Sequence, residues 1–205
     1  QLMSLVKESR KDDELVSRDK YVGHITASGF VISTCRKKVL LLRHKKLDLY
    51  LQPGGHFQAG DLSPLDAARR KIKEETGLNN LDYIPYHLDN DEVPIDIDTH
   101  HIKGSDGENN HYHHDFRYLF LCNCNDDIKI NKEKFHEFKW DDINELLRMQ
   151  TFSPLKEKIE KTLSGEFRPK IFFDRLTKML NIEEQFSTIV VTHLLPDVMV
   201  FLHTI

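Results

Sequence analysis

Two adjacent glutamates, Glu74 and Glu75, close the stretch AARRKIKEETGL and are the residues best suited to bind a metal ion. Carboxylate oxygens are hard ligands for Mg²⁺, and a bound Mg²⁺ neutralises the charge that develops on a leaving phosphate. Lys71 precedes them by about one helical turn and competes as a cation for the same carboxylates. The alternative is an exposed helix face with ion pairs such as Arg70–Glu74 and Lys71–Glu75.

The residues around this stretch predict the helix that positions it. Ser63 suits the N-cap, Pro64 suits the first helical position and Gly77 suits the C-cap, so we predict a helix over 63–76. The preceding segment LQPGGHFQAGD is rich in glycine and predicts a tight loop that exposes backbone N–H groups where the helix begins. A glycine loop leading into paired carboxylates favours a divalent cation held against a substrate pyrophosphate.

The segment GGHFQAGDLSPLDAARRKIKEETGL resembles a Nudix box, in which G, five residues, E and seven residues precede R-E-U-x-E-E-x-G-U, with U aliphatic. Gly55 matches the first glycine, Arg70 the arginine, and Glu74 and Glu75 the paired acids. Further on, HYHHDFRYLFLC and FHEFKW resemble a Nudix subgroup that carries H-x-H-x-D-x-R on a strand after the box. The resemblance covers roughly residues 20–150.

This resemblance implies an α/β fold, the Nudix α/β/α sandwich with a mixed sheet. It also implies hydrolysis of a phosphoanhydride bond in a nucleoside diphosphate derivative, with Mg²⁺ or Mn²⁺ as cofactor. The paired glutamates, Glu74 and Glu75, would hold the metal ion, Arg70 would orient them, and the loop at Gly54 and Gly55 would shape the metal and phosphate site. The expected partner is therefore a small nucleotide derivative.

The sequence departs from the box at three places. Asp61 stands where the box has its first glutamate, and eight residues rather than seven separate Asp61 from Arg70. Lys71 replaces a glutamate that binds metal in the family. We therefore weigh two outcomes. In the favoured one, Glu74 and Glu75 keep one weakly bound metal ion while Lys71 holds a phosphate oxygen, which makes Lys71 a candidate catalytic residue. In the other, catalysis is lost and the chain is a nucleotide-binding or nucleotide-sensing module.

Two histidine-rich segments form a second group of candidate residues. Because side chains alternate along a strand, one face of each segment is polar. These faces carry His111, His113, Asp115 and Arg117 on HYHHDFRYLFLC, and Asp96, Asp98 and His100 on PIDIDTHHI. We predict that KGSDGENN joins the two as a hairpin. The favoured interpretation is a pocket floor that binds phosphate or ribose through Arg117 and His113. A transition-metal site and a solvated sheet face with Asp115–Arg117 pairs are the alternatives. His113 and Asp115 are also candidates to replace the missing base.

Bulk composition excludes several classes of function. The 29 basic and 33 acidic residues nearly balance, so no basic field predicts a nucleic acid polymer as partner. Three cysteines, two of them in CNC, give no disulfide framework and fit a reducing cytoplasm. The first residues carry no continuous apolar run, so we predict no signal peptide and a cytoplasmic location. The apolar run TIVVTHLLPDVMVFLHTI contains Pro196 and Asp197, so we predict no membrane span.

We predict three regions along the chain: a helical arm over 1–20, the Nudix domain over 21–150, and a helical extension with an apolar tail over 151–205. Within the domain, YVGHITASGFVIST, KKVLLLRH, LDYIPYHL, VPIDIDTHHI and HYHHDFRYLFLC have the composition of strands. The tail predicts a buried strand over 188–195 and a helix after Pro196. Such an apolar segment seeks cover. The favoured expectation is a truncated second α/β domain; the alternative is docking on the domain or on a second copy, which would make a homodimer.

Overall fold

Strand β1 (His24–Ser33) is buried along all ten residues and lies inside a mixed sheet, to which the described residues contribute eight strands. It runs parallel to β7 (His111–Cys122) and antiparallel to β2 (Lys38–His44) and β4 (Gly54–His56). Burial on both faces is typical of a strand that is covered by other elements on both sides of the sheet. β1 therefore fixes the positions of the loops and side chains around it.

The computed structural model of the 205-residue chain describes residues 1–9, 12–18, 22–89, 92–104, 109–148 and 152–165. The remaining strands are β3 (Tyr50–Leu51), β5 (Asp82–Tyr83), β6 (Asp96–Ile102) and β8 (Phe135–Asp142). The helices are α1 (Leu2–Glu8), α2 (Asp12–Leu15), α3 (Pro64–Thr76), α4 (Pro85–Asp89), α5 (Ile143–Arg148) and α6 (Lys156–Ser164). The predicted helical extension after residue 165, the tail strand and the helix after Pro196 lie outside the described residues.

In the part of the chain that the structure describes, two hydrophobic cores lie on opposite faces of the sheet. The first joins helix α3 to one face, where Ile72 packs with Val31 and Phe116. The second joins α4, α5 and α6 to the other face, where Leu146 packs with Ile32. Neighbouring residues of β1 point to opposite cores, as the alternation of a strand requires. Helices therefore cover both faces of a mixed sheet, which confirms the predicted α/β/α sandwich.

The described residues before β1 include two short helices, α1 and α2. Leu2, Leu5, Val6 and Leu15 are buried in the same core as α3. The helical spacing of these residues places them on one apolar face. The segment folds onto the sheet because packing there removes this face from water. Within the part of the chain that the structure describes, no helix combines the length and apolar character that crossing a bilayer requires.

The predicted strand LDYIPYHL is wrong over most of its length. Only Asp82 and Tyr83 pair with β7, and α4 begins at Pro85. Proline lacks the N–H that a sheet ladder needs, and its fixed φ suits the first turn of a helix. Ile84 and Tyr86 stay buried in the second core, so their apolar character reflects burial in a turn and a helix.

The predicted pairing of the two histidine-rich segments is confirmed. Strand β6 pairs antiparallel with β7, so that His100 lies opposite His113, Asp98 opposite Asp115, and Asp96 opposite Arg117. Because paired residues share a face of the sheet, the two polar faces meet. The pairing provides one continuous polar surface at one end of the sheet.

Candidate functional site

Helix α3 begins and ends where the sequence predicts. The Ser63 hydroxyl accepts a hydrogen bond from the backbone N–H of Asp66 at 3.2 Å, and Pro64 is the first helical residue. Gly77 ends the helix in the left-handed region, with φ of 74°. The caps set where the helix begins and ends. Arg70 and Glu74 contact β4 and the loop that follows it, and Glu75 contacts Gly54 of β4.

Arg70 connects this loop to the helix. Its Nε and Nη2 atoms donate to both carboxylate oxygens of Asp61 at 2.6 and 2.7 Å, and its Nη1 donates to Glu74 Oε1 at 2.8 Å. The extra residue in the loop therefore leaves Asp61 able to reach the arginine. The hydrogen bonds that Arg70 donates to Asp61 raise the pKa of Arg70. Burial works to raise the pKa of Asp61, but the hydrogen bonds from Arg70 and Gln58 outweigh it and lower that pKa.

Lys71 lies between the paired glutamates. Its Nζ atom is 2.9 Å from Glu74 Oε2 and 3.9 Å from Glu75 Oε1, and the residue is 9% exposed. Gly55 makes room for it, because a Cβ atom there would come within 3.0 Å of Lys71 Cε. The Lys71 ammonium therefore occupies the position between the two carboxylates where a metal ion would otherwise bind.

The two glutamates differ in environment. Glu75 is buried, accepts a hydrogen bond from the Gly54 N–H at 3.1 Å, and lies 3.5 Å from Lys134 Nζ. Burial raises the pKa of Glu75. Glu74 has a side chain that is 40% exposed. Burial works to raise its pKa too, but the hydrogen bonds from Lys71 and Arg70 outweigh it and lower that pKa.

The charges of this group balance without a metal ion. Three carboxylates, on Asp61, Glu74 and Glu75, face three cations, on Arg70, Lys71 and Lys134. Mg²⁺ prefers carboxylates that carry excess negative charge and have oxygens free to coordinate. In this arrangement the oxygens of the paired glutamates already face N–H donors. The residues present therefore do not fit a resident Mg²⁺ unless Lys71 moves away.

Asp115 and Arg117 belong to a buried polar network on the other polar surface. The hydroxyls of Thr26 and Ser28 donate to Asp115 at 3.1 and 2.6 Å. Arg117 lies 3.3 Å from Asp96, 3.0 Å from Asp98 and 3.5 Å from Asp115, and it is 6% exposed. Burial raises the pKa of Asp115. These contacts tie β1, β6 and β7 together and bury the Asp115–Arg117 pair between the strands.

Histidines from three strands meet beside this network. Ring nitrogens of His24, His56 and His113 all lie within 4.8 Å of one another, and His111 stacks on His24 with ring centroids 5.1 Å apart. Burial, followed by repulsion from neighbouring histidines, lowers the pKa of His24 to about 3 and that of His113 to about 2. The sequence indicated His111 and His113 but missed His24 and His56, because these reach the cluster only through the pairing of β1 with β4 and β7.

The histidine cluster and Lys71 lie on opposite faces of the sheet. His56 pairs with Thr26, and His24 with His113, so these residues share the face that leads to Phe30 and the second core. Gly55 is on the other face, where its position meets Lys71. The His56 carbonyl oxygen nevertheless accepts a hydrogen bond from Arg70 Nη2 at 3.0 Å. His56 therefore links the two groups of residues.

Comparison with known proteins gives three findings. A family model described as NUDIX domain matches residues 23–163. The isopentenyl-diphosphate Delta-isomerase of Dinoroseobacter shibae is 28% identical over 141 residues, which are 65% of this chain and 72% of that protein. A C. elegans Ap4A hydrolase binary complex is 20% identical, with a TM-score of 0.50, over 69% of this chain and 98% of that one. The last likeness concerns the fold alone.

Proposed function

The chain belongs to the Nudix family, and from this premise we propose that it hydrolyses a phosphoanhydride bond in a small nucleoside diphosphate derivative. The observation that carries the proposal is the assembled box: Arg70 holds Asp61 and Glu74, while Gly54 holds Glu75. Such positioning is what acceleration of a phosphoryl transfer requires, since the protein contributes orientation and charge.

The substrate would bind beside the loop that precedes α3. A cleft of about 440 Å³ opens there, and Arg69, Arg70 and Lys73 lie along it. Its volume falls within the range of small-molecule sites, and its cations suit the phosphates of a nucleotide. The cleft meets the box at Asp61 and Arg70, so the scissile pyrophosphate would lie at that end of the cleft, towards Glu74.

Lys71 would supply the positive charge that Nudix hydrolases generally obtain from divalent metal ions. Its ammonium can donate to a phosphate oxygen and stabilise charge on the leaving group. Glu74 is the more exposed of the paired glutamates and is ionised at neutral pH, so it can orient the attacking water. A carboxylate with a lowered pKa is a weak base, so we expect slow turnover. Mg²⁺ or Mn²⁺ would act here only after displacing Lys71.

A substrate panel tests this proposal. Purified protein is incubated with dinucleoside polyphosphates, nucleotide sugars, CDP-alcohols and oxidised dNTPs, with EDTA, Mg²⁺ or Mn²⁺, and products are separated by chromatography. Isopentenyl diphosphate is included because a similar protein is named as its isomerase. We expect hydrolysis of at least one compound and its loss in Glu74→Gln. The matched control is Glu133→Gln, which removes an exposed glutamate in the loop before β8.

A binding module is the second candidate function. The balanced charges around Lys71 favour it. Side chains that are held in ion pairs with one another suit a fixed binding structure better than they suit catalysis. Binding of one or more compounds by calorimetry, with no product from any of them under any metal condition, would establish this second function and reject hydrolysis.

A further inference from the structure

The environment of His24 requires an explanation that the proposed function does not give. The residue is 1% exposed, yet neither of its ring nitrogens has a hydrogen-bond partner among the described residues. Most buried polar atoms in proteins have a hydrogen-bond partner, so a buried ring with neither nitrogen paired points to a ligand. The rings of His56, His111 and His113 all lie within about 5 Å of the His24 ring.

The cluster has the composition of a transition-metal site. Its three closest members, His24, His56 and His113, offer imidazole nitrogens, and among the described residues no carboxylate joins that group. Imidazole suits Zn²⁺ and its neighbours, whereas Mg²⁺ and Ca²⁺ prefer oxygen. An imidazole binds a metal ion through the lone pair of an unprotonated ring nitrogen.

We propose that His24, His56 and His113 bind a transition-metal ion of the Zn²⁺ class, with a fourth position open to water or to His111. Three histidines with an open position make the ligand set of a catalytic rather than a purely structural zinc site. Tetrahedral nitrogens about 2.0–2.1 Å from zinc are roughly 3.3 Å apart. The ring nitrogens lie within 4.8 Å of one another, so small side-chain rotations bring them to that distance.

The orientation of His111 suits it to supply the fourth ligand. Its Nδ1 atom is 2.8 Å from the Asn109 carbonyl oxygen, which accepts only from an N–H. A neutral ring with hydrogen on Nδ1 carries its lone pair on Nε2, and that Nε2 lies 3.2 Å from His113 Nε2. Metal-binding histidines are commonly oriented in this way by a carbonyl or carboxylate on their second nitrogen.

The metal site would also stabilise the Nudix box. His56 would hold the ion through its ring while its carbonyl oxygen holds Arg70, and Gly54 on the same strand holds Glu75. Metal binding would therefore stabilise β4, the strand between the two groups. Because the ion sits on the opposite face of the sheet from Lys71, its binding can be measured independently of any hydrolytic activity.

Metal titration tests the proposal. Full-length protein without a histidine tag is stripped with EDTA and dialysed, then titrated with ZnCl₂ and with CoCl₂. We expect one equivalent of Zn²⁺ by mass spectrometry, a visible absorption band of tetrahedral Co²⁺, and a higher melting temperature with Zn²⁺ than with Mg²⁺. Less than a tenth of an equivalent of Zn²⁺, or no effect of Zn²⁺ beyond that of Mg²⁺, overturns the proposal.

Matched variants identify the ligands. His113→Gln and His56→Gln should lower Zn²⁺ affinity at least tenfold. His101→Gln, which removes an exposed histidine of β6, should leave it unchanged. His56→Cys keeps a zinc ligand and should retain binding even where the glutamine variants unfold. Equal losses in His101→Gln and the cluster variants, or full binding in His113→Gln and His56→Gln, would place the ion elsewhere and overturn the assignment.

Discussion

The Nζ atom of Lys71 lies 2.9 Å from Oε2 of Glu74, so the lysine ammonium occupies the space beside the paired carboxylates of the Nudix box. Lys71→Glu replaces this cation by a ligand and changes the local charge by two. We expect Mg²⁺ affinity to rise at least tenfold, which requires only about 1.4 kcal/mol, and turnover to increase. Calorimetric titration measures the affinity. Lys73→Glu makes the same charge change at an exposed position of α3 and should leave Mg²⁺ affinity nearly unchanged, although it removes a cation of the proposed substrate cleft. Equal affinities in both variants would contradict this expectation.

Asp61→Asn should weaken folding in a pH-dependent way. The folded pKa of Asp61 is lowered, so its ion pair with Arg70 contributes fully above the unfolded pKa of about 3.9. The contribution is lost as the pH falls through the folded pKa. Urea unfolding at pH 7 should show a loss of about 2 kcal/mol, and the difference from wild type should shrink below about pH 4. A difference that stays constant with pH would mean that charge plays no part.

Arg117→Gln should destabilise the fold, because it leaves Asp96, Asp98 and Asp115 facing one another without the guanidinium. Removing one partner of a buried ion pair costs about 3–5 kcal/mol, which urea unfolding resolves. Arg43→Gln is the control, since Arg43 also contacts two carboxylates but at the surface, and it should unfold like wild type. Unchanged stability in Arg117→Gln, together with weaker nucleotide binding, would instead favour the substrate-binding role that the sequence suggested.

Gly54→Ala should disturb the loop that supports Glu75. A Cβ atom at position 54 would lie 2.4 Å from Ser28 Cβ and 2.9 Å from the Ala27 carbonyl oxygen, so β4 would have to move. We expect a loss of about 1–3 kcal/mol in unfolding free energy and reduced hydrolysis. Gly60→Ala is the comparison, because nothing lies within 4 Å of its Cβ position, although its φ of 101° adds strain. A larger loss in Gly60→Ala would show that backbone strain outweighs the close contact.

The sequence predicted those features that depend on residues close together in the chain. Ser63, Pro64 and Gly77 act within one or two turns of α3, so their signals were sufficient to place it. The position of Lys71 between Glu74 and Glu75 follows from helical spacing alone, and the structure confirms it. The fold itself was predicted through the resemblance rather than from propensities.

Contacts between distant segments could not be predicted from the sequence. Lys134 approaches Glu75 from the loop before β8, and His24 and His56 reach His113 only through the register of three strands. Nothing local in GGHFQAGD or YVGHITASG indicates that their histidines share a face. The segment LDYIPYHL was wrongly predicted as one strand. Its buried apolar residues and its proline fit a short strand followed by a helix as well as they fit a longer strand.

The parallel pairing of β1 with β7 has a consequence for how the chain folds. Thr26 and Asp115, which meet in this pairing, are 89 positions apart, so a long loop must close before the central strands gain their contacts. Pairings of this kind slow folding, because chain entropy is lost before any contact compensates for it. Until β7 pairs with it, β1 exposes a long unpaired edge with which a strand of another unfolded chain can pair. Refolding should therefore become less efficient as protein concentration rises, since intermolecular pairing competes directly with the arrival of β7.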